Sequence, residues 1–264
     1  MSTLPPPDGG AAKNSTVDRA LQVLEAFLTD DESLALADLT RVVPLDASVI
    51  HRILATLVRR QFLRQDPVTK RYGVGLRTWE IGQRYLAASP LAELAQEAVD
   101  AVVRRHSYTT GYVATLDGDQ MVVLATVRGP GPVNIVIDPG TRMPAALTAT
   151  GRAMLAYLPA ERLQRLRARL AAQREGRPGS RRPEDLTAEL REIRERGYVE
   201  NRGEYFPGIG TVAMCVRGSD AGPAMAISVD FPIAIETEHL WGDLPDQLRE
   251  AVVALGRVVP AASL

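Results

Sequence analysis

From Asp46 to Arg77 the apolar spacing changes from a helical period to a period of two, and few folds place both in so short a stretch. From Ser48 onward, Ile50, Ile53, Leu54, Leu57 and Val58 fall on one side of a helix, with Asp46 or Ser48 placed to cap its start. This stripe belongs in a core. Ser48, His51, Arg52, Thr56 and Arg59 fall on the other side, a row of short polar groups and cations suited to a DNA major groove. Phe62 to Gln65 and Lys70 to Val74 then alternate around Asp66-Pro67-Val68-Thr69, which predicts a two-stranded hairpin with a turn rich in chain breakers.

Upstream, Val17, Ala20, Leu21, Leu24, Phe27 and Leu28 mark an amphipathic first helix, with Asn14, Ser15 or Thr16 as cap candidates. Leu36, Leu39 and Val42 mark the inner side of a short second helix, which Pro44 ends because proline cannot continue the hydrogen-bond ladder. Helix, helix, turn, helix and hairpin make a winged helix-turn-helix. Residues 1–13, with Pro5-Pro6-Pro7 and Gly9-Gly10, read as a disordered tail without the apolar core of a signal peptide.

The whole chain carries a net charge of -1, yet between positions 47 and 77 seven cations face the single anion Asp66. Screening over about 8 Å at physiological salt makes the local excess the one that a phosphate backbone feels. Arg52, Arg59, Arg64, Lys70 and Arg71 are placed to hold phosphates, and Ser48, His51 and Thr56 to meet bases or backbone.

These motifs resemble the isocitrate lyase regulator (IclR) family of transcriptional regulators. The resemblance runs from Ser15-Thr16-Val17-Asp18-Arg19-Ala20-Leu21 through Ser48-Val49-Ile50-His51-Arg52 to Tyr72-Gly73-Val74-Gly75. It resumes at Gly151-Arg152-Ala153-Met154-Leu155, Arg196-Gly197-Tyr198 and Ala226-Ile227-Ser228-Val229. Arg19 and Tyr72, inside matching motifs, complete the expected DNA-contacting set. Ala47 and Val49 stand where the family often has a basic residue and a threonine, so operator sequence does not carry over.

Residues 14–76 are thus expected to form the DNA-binding domain, 77–89 a linker helix and 90–264 a second domain. In the linker, Trp79 and Tyr85 either pack against a partner subunit or cover the head's own core. Beyond a helix from Leu91 to His106, Tyr112–Leu116 and Met121–Val127 flank Asp117-Gly118-Asp119, a hairpin signal, with a third strand expected at Val133–Ile137. Helices are expected at Gly151–Tyr157, Glu161 to about Ala172 and Glu184–Arg196. Strands follow near Tyr198, at Ile209–Val216 and at Ala224–Asp230, then a closing helix from Glu236 to about Val258. The fold class is α+β around an antiparallel sheet, and the resemblance implies a GAF-like effector-binding domain.

Little here suggests catalysis. The single cysteine, Cys215, lies in an apolar strand and reads as a small buried hydrophobe, and one cysteine alone excludes an internal disulfide and fits a reducing cytoplasm. No Cys/His cluster has zinc-ligand spacing, no glycine-rich phosphate loop follows a strand, and no apolar run reaches membrane-spanning length, so no metal, cofactor or membrane is expected. The arginine-rich stretch around Arg162 to Arg196 also holds seven acids from Glu161 to Glu195, so much of it reads as mixed-sign solvated helix, and with Lys13 and Lys70 the sole lysines, arginine is the chain's default cation.

A binding row does emerge. Ala226, Ser228 and Asp230 share one face of their strand while Met225, Ile227 and Val229 share the other. The resemblance implies effector contacts at Asn201, Thr211, Ser228 and Asp230, backbone amides at Ala149 and Thr150, and apolar walls at Ile135, Met143 and Ile209. An ionised Asp230 repels a small carboxylate unless an arginine neutralises it, which favours a ligand with hydroxyl or amine donors, such as a hydroxylated aromatic or sugar acid. A ligand-responsive regulator follows, bound to double-stranded operator DNA as a dimer or dimer of dimers. The rivals are a DNA-tethered degenerate enzyme and a winged helix that binds protein instead.

Overall fold

The computed structural model describes residues 16–29, 31–87, 90–131, 134–174, 186–218, 223–234 and 238–258. The expected tail, the Asn14 and Ser15 caps, and the expected starts at Val133, Glu184 and Glu236 lie outside them. The chain divides into two units, residues 1–88 and 89–264.

The first unit contains α1 (Thr16–Glu25), α2 (Leu36–Val42), α3 (Ala47–Arg59), β1 (Leu63–Gln65), β2 (Tyr72–Val74) and α4 (Leu76–Ala87). Val23, Leu39, Ile50 and Leu54 are fully buried at its centre, where α1 and α2 both pack on α3. The expected stripe divides: Phe27 is buried and Ala20 and Leu24 pack against the core, Val17, Leu21 and Leu28 stay exposed, and Val23, outside the expected stripe, is the fully buried residue of α1. Val42 is also exposed, and Val43 takes the core position in its place. Asp46 occupies the N-cap of α3 in extended backbone, but its side chain makes no capping bond. At α2, by contrast, the Asp38 carboxylate accepts the Ala35 amide at 2.9 Å.

The hairpin pairs Leu63 with Val74 and Gln65 with Tyr72. Its turn is held by Asp66, whose carboxylate accepts the Val68 and Thr69 amides at 2.8 and 2.7 Å. Those bonds hold the Asp66 carboxyl below its ordinary range. Leu34 bridges to Tyr72 from outside, adding a third chain segment to the wing.

The second unit orders α5 (Pro90–Val103), β3 (Thr110–Asp117), β4 (Gln120–Arg128), β5 (Arg142–Pro144), α6 (Ala149–Leu155), α7 (Ala160–Arg174) and α8 (Leu186–Arg196). β6 (Val199–Arg202), β7 (Ile209–Arg217), β8 (Pro223–Pro232) and α9 (Leu240–Val258) complete it. The antiparallel sheet runs β5-β4-β3-β8-β7-β6. Asp117 pairs with Gln120, so Gly118 and Asp119 form a two-residue turn, with the positive φ of +60° supplied by Gly118.

Alternation gives the sheet two faces. Val113, Val212, Ile227 and Val229 bury against α5 and α9. Here α5 approaches so closely that a Cβ on Gly111 would lie 2.0 Å from Val99 Cγ1. Tyr112, Ala114, Ala213, Cys215 and Ala226 face α6, α7 and α8.

The expected strand at Val133–Ile137 is corrected: the described part of that segment belongs to no strand, and β5 at Arg142–Pro144 takes the edge beside β4. Side-chain hydroxyls replace a ladder there. Tyr112 donates to the Ile135 carbonyl and Thr126 to the Ile137 carbonyl, each at 2.5 Å.

Candidate functional site

On the head, Ser48, His51, Arg52, Thr56 and Arg59 are all exposed along one side of α3, opposite the buried Ile50, Ile53 and Leu54. The Thr56 hydroxyl donates to the Arg52 carbonyl, which leaves its lone pairs outward. Among the described residues Arg52, Arg59, Arg60 and Lys70 make no ion pair, so their charge is available to an external anion. Lys70 sits at the wing's turn with a φ of +56°. Arg19 is half-buried against the turn between α2 and α3, where it lines a cleft with Pro44, Leu45 and Asp46 and its Nε lacks a hydrogen-bond partner.

Two expected DNA contacts sit elsewhere. Tyr72 is only 5% exposed and packs in the head core, because its pairing with Gln65 and its bridge to Leu34 turn the ring inward. Arg71 is fastened to the protein itself: Nη2 donates to the Ser33 carbonyl at 2.7 Å, Nε to the Ser33 hydroxyl at 3.1 Å, and Nη2 lies 3.3 Å from Asp38.

In the second unit a small, partly open pocket lies between the sheet and α6. Met143, Ala149, Thr150, Asn201, Ile209, Thr211 and Asp230 line it as expected. Ile135 and Ser228 do not. Ile135 offers its carbonyl to Tyr112, and Ser228 is sealed beneath Thr150, which donates to its hydroxyl at 3.0 Å.

Strand register explains how the polar end forms. Asp230 pairs with Thr110 on one side and Thr211 on the other, and Asn201 pairs with Thr211 one strand further. Cross-strand partners share a face, so these groups converge. No arginine or lysine is among the pocket's lining residues. Burial pushes the Asp230 carboxyl up to about 7, the Thr211 hydroxyl bond opposing it. Burial first, and the Asp230 charge second, push the Tyr112 phenol up, which keeps it a neutral donor.

Tyr112, Met121, Val123 and Ile137 also line the pocket and were legible only in part: the alternation of β3 and β4 carries them, but nothing local marks which end of each strand is hollow. Tyr205 and Phe206 come from the β6–β7 loop, which has no period to read. Thr148 caps α6 by accepting the Gly151 amide at 3.1 Å. That leaves the first amides of α6, at Ala149 and Thr150, at the pocket wall without intrahelical partners.

Buried charge lies behind α6. Arg152 Nη1 contacts Glu204 at 2.7 Å and Glu189 at 2.9 Å, and Glu189 contacts Arg174 at 2.8 Å. Among the described residues no group of three or more His, Cys, Asp or Glu could hold a metal, and no helix is long and apolar enough to cross a membrane.

Two family models match this architecture, one described as the bacterial transcriptional regulator IclR C-terminal domain over residues 83–257 and one as the IclR helix-turn-helix domain over residues 16–67. The chain is 30% identical over 238 residues to a protein named probable transcriptional regulator SauR of Cupriavidus necator, covering 88% of this chain and 92% of that one. It is 25% identical over 254 residues to the HTH-type transcriptional regulator XynR of Escherichia coli, covering 92% and 96%. A crystal structure of an IclR homolog from Microbacterium hydrocarbonoxydans complexed with 4-hydroxybenzoate superposes with a TM-score of 0.78 at 24% identity, covering 92% of this chain and 98% of that one.

Proposed function

Because the chain belongs to the IclR family of bacterial transcriptional regulators, we propose that it controls a catabolic or metabolic operon, binding a pseudo-palindromic operator through α3 and releasing or engaging it in response to a small organic acid. The ligand is aromatic or hydroxylated and occupies the pocket beneath α6. The observation that carries this reading is the pocket's lining: Tyr112, Tyr205 and Phe206 offer rings, and Asp230, Asn201 and Thr211 form a polar end. A neighbour that binds 4-hydroxybenzoate makes this ligand class a natural first choice.

The ligand's polarity follows from charge. Its acid group belongs at the α6 amides of Ala149 and Thr150, since an ionised Asp230 repels a carboxylate. Its hydroxyl belongs at Asp230, where it donates to the carboxylate or accepts from the protonated acid.

The head acts as one half of a pair. Trp79 and Tyr85 on α4 are 60% and 61% exposed, so they do not cover the head's own core, and Val17 and Leu21 of α1 are exposed as well. Such unpartnered apolar groups support a homodimer that sets two recognition helices on two half-sites, alone or as a dimer of dimers, in the cytoplasm. A ligand that prefers one arrangement of the domains changes operator affinity by its differential binding to the two states.

The test is to incubate the purified protein with sheared genomic DNA from its source, recover and sequence the bound fragments, and repeat with 4-hydroxybenzoate and related acids. Enrichment of a few pseudo-palindromic sites that an acid abolishes or strengthens supports the reading. Binding without sequence preference and without salt dependence overturns it in favour of a protein-binding winged helix.

A further inference from the structure

The β6–β7 loop, residues 203–208, is bracketed by Gly203 and Gly208 at φ of +87° and +83°, conformations that a side chain rarely adopts. Between them Tyr205 and Phe206 stack edge to face at 4.6 Å and both line the pocket, while Phe206 remains 42% exposed. An aromatic pair that is half inside a cavity and half in solvent forms one wall and one rim of it.

What fixes this wall is Glu204. Its amide donates to Asn201 Oδ1 at 2.8 Å, and its carboxylate meets Arg152 Nη1 at 2.7 Å. Arg152 is 4% exposed and is held from behind by Glu189. It belongs to the same short helix as Ala149 and Thr150, which also line the pocket. One ion pair therefore ties the aromatic loop to the helix that lines the same pocket. The two ends of the pair differ: the Arg152 side is buried and rigid, whereas the Glu204 side chain is 37% exposed and sits between two glycines. The Glu204 end is the one built to let go.

We propose that Glu204 is a positioning residue for the ligand pocket, latching the Tyr205–Phe206 loop across its mouth through Arg152, with Gly203 and Gly208 as the hinges. The proposal rests on reading this pocket as the effector site. Closing the latch brings rings onto the ligand and excludes water; opening it admits and releases the ligand. Because the latch grips α6 as well as the loop, both walls respond to the same contact.

Thr211→Cys combined with Cys215→Ala places a single thiol in the pocket, and the rate at which methyl methanethiosulfonate labels it reports opening without any effector. Adding Glu204→Gln, which keeps the size and removes the charge, is expected to speed labelling about tenfold, the loss of one charge-assisted hydrogen bond. Hydrogen exchange should accelerate in residues 203–209 and stay unchanged in the β3–β4 hairpin. An unchanged labelling rate overturns the latch, and so does faster exchange spread through β3 and β4, which would make Glu204 a support of the whole fold. The effector reading fails separately, if methylthiolation of the pocket thiol leaves operator binding and its response to 4-hydroxybenzoate unaltered.

Discussion

The Arg71 guanidinium donates to the Ser33 carbonyl and hydroxyl and rests against Asp38, so the second strand of the wing is clamped to the segment that leads into α2. With Nε and Nη2 engaged internally, Arg71 braces the wing against the segment before α2, a role separate from holding phosphate. Arg71→Ala is expected to lower the head's stability by about 1 kcal/mol, the group being partly solvated. It should weaken operator binding while leaving the slope of log affinity against log salt unchanged, measured by fluorescence anisotropy from low to moderate salt.

Arg52 behaves in the opposite way. It is exposed on α3 and makes no ion pair among the described residues. Arg52→Ala should leave the melting temperature alone and reduce the salt slope by about one, the release of one phosphate's counterion.

Asp230 makes the body's stability depend on pH. The unfolded carboxyl loses its proton near the ordinary 3.8, whereas the folded one keeps it to about 7. Between those values the folded state binds more protons, so stability falls as pH rises from about 4 to about 7 and levels off above. Chemical denaturation of wild type and Asp230→Asn across that window checks this; the variant should lack that part of the slope. Affinity for a ligand acid should likewise weaken as pH rises through 7 in the wild type and stay flatter in the variant.

At Gly111 the sheet leaves no room for a side chain beneath α5. Gly111→Ala drives a methyl into Val99 and Val103, whose nearest atoms lie 2.0 and 3.0 Å from the new Cβ. A loss of about 1–3 kcal/mol is expected from overpacking, read as a lower melting temperature of the second unit. Adding Val99→Ala should recover part of the loss.

The exposed linker rings give a test of assembly. Replacing Trp79 and Tyr85 together by serine should shift sedimentation toward monomer and cost operator affinity, with the secondary structure unchanged by circular dichroism. A dimer that persists at the same concentration would move the interface off α4.

Legibility followed periodicity. The two faces of α3 are plain in the sequence because each side of a helix repeats, and the structure keeps Ile50, Ile53 and Leu54 buried and Ser48, His51 and Arg52 exposed. In the body, β8 alternates as expected, with Ile227 and Val229 on one face and Asp230 on the other beside the pocket. Misreadings cluster where a distant segment decides. Tyr72 alternates like an outward wing residue, but Leu34, far upstream, closes over it. Val17 and Leu21 have the spacing of core residues, yet the core is already filled by Val23, Phe27 and the residues of α3. Tyr205 and Phe206 reach the pocket only because two glycines fold a loop back over it, a long-range consequence that no local pattern encodes.

The outer strands of the large sheet have three residues in β5 and four in β6, beside neighbours of nine each. β5 ends on Pro144, which has no amide to offer, and β6 carries Glu200 and Arg202 paired with each other. The outermost strands themselves offer another chain only short rows of backbone groups to copy, interrupted by a proline and by a charged pair. The outermost strands are thus poor templates for fibrous growth, and the exposed apolar side chains of α1 and α4 are the better surface for joining one copy to another.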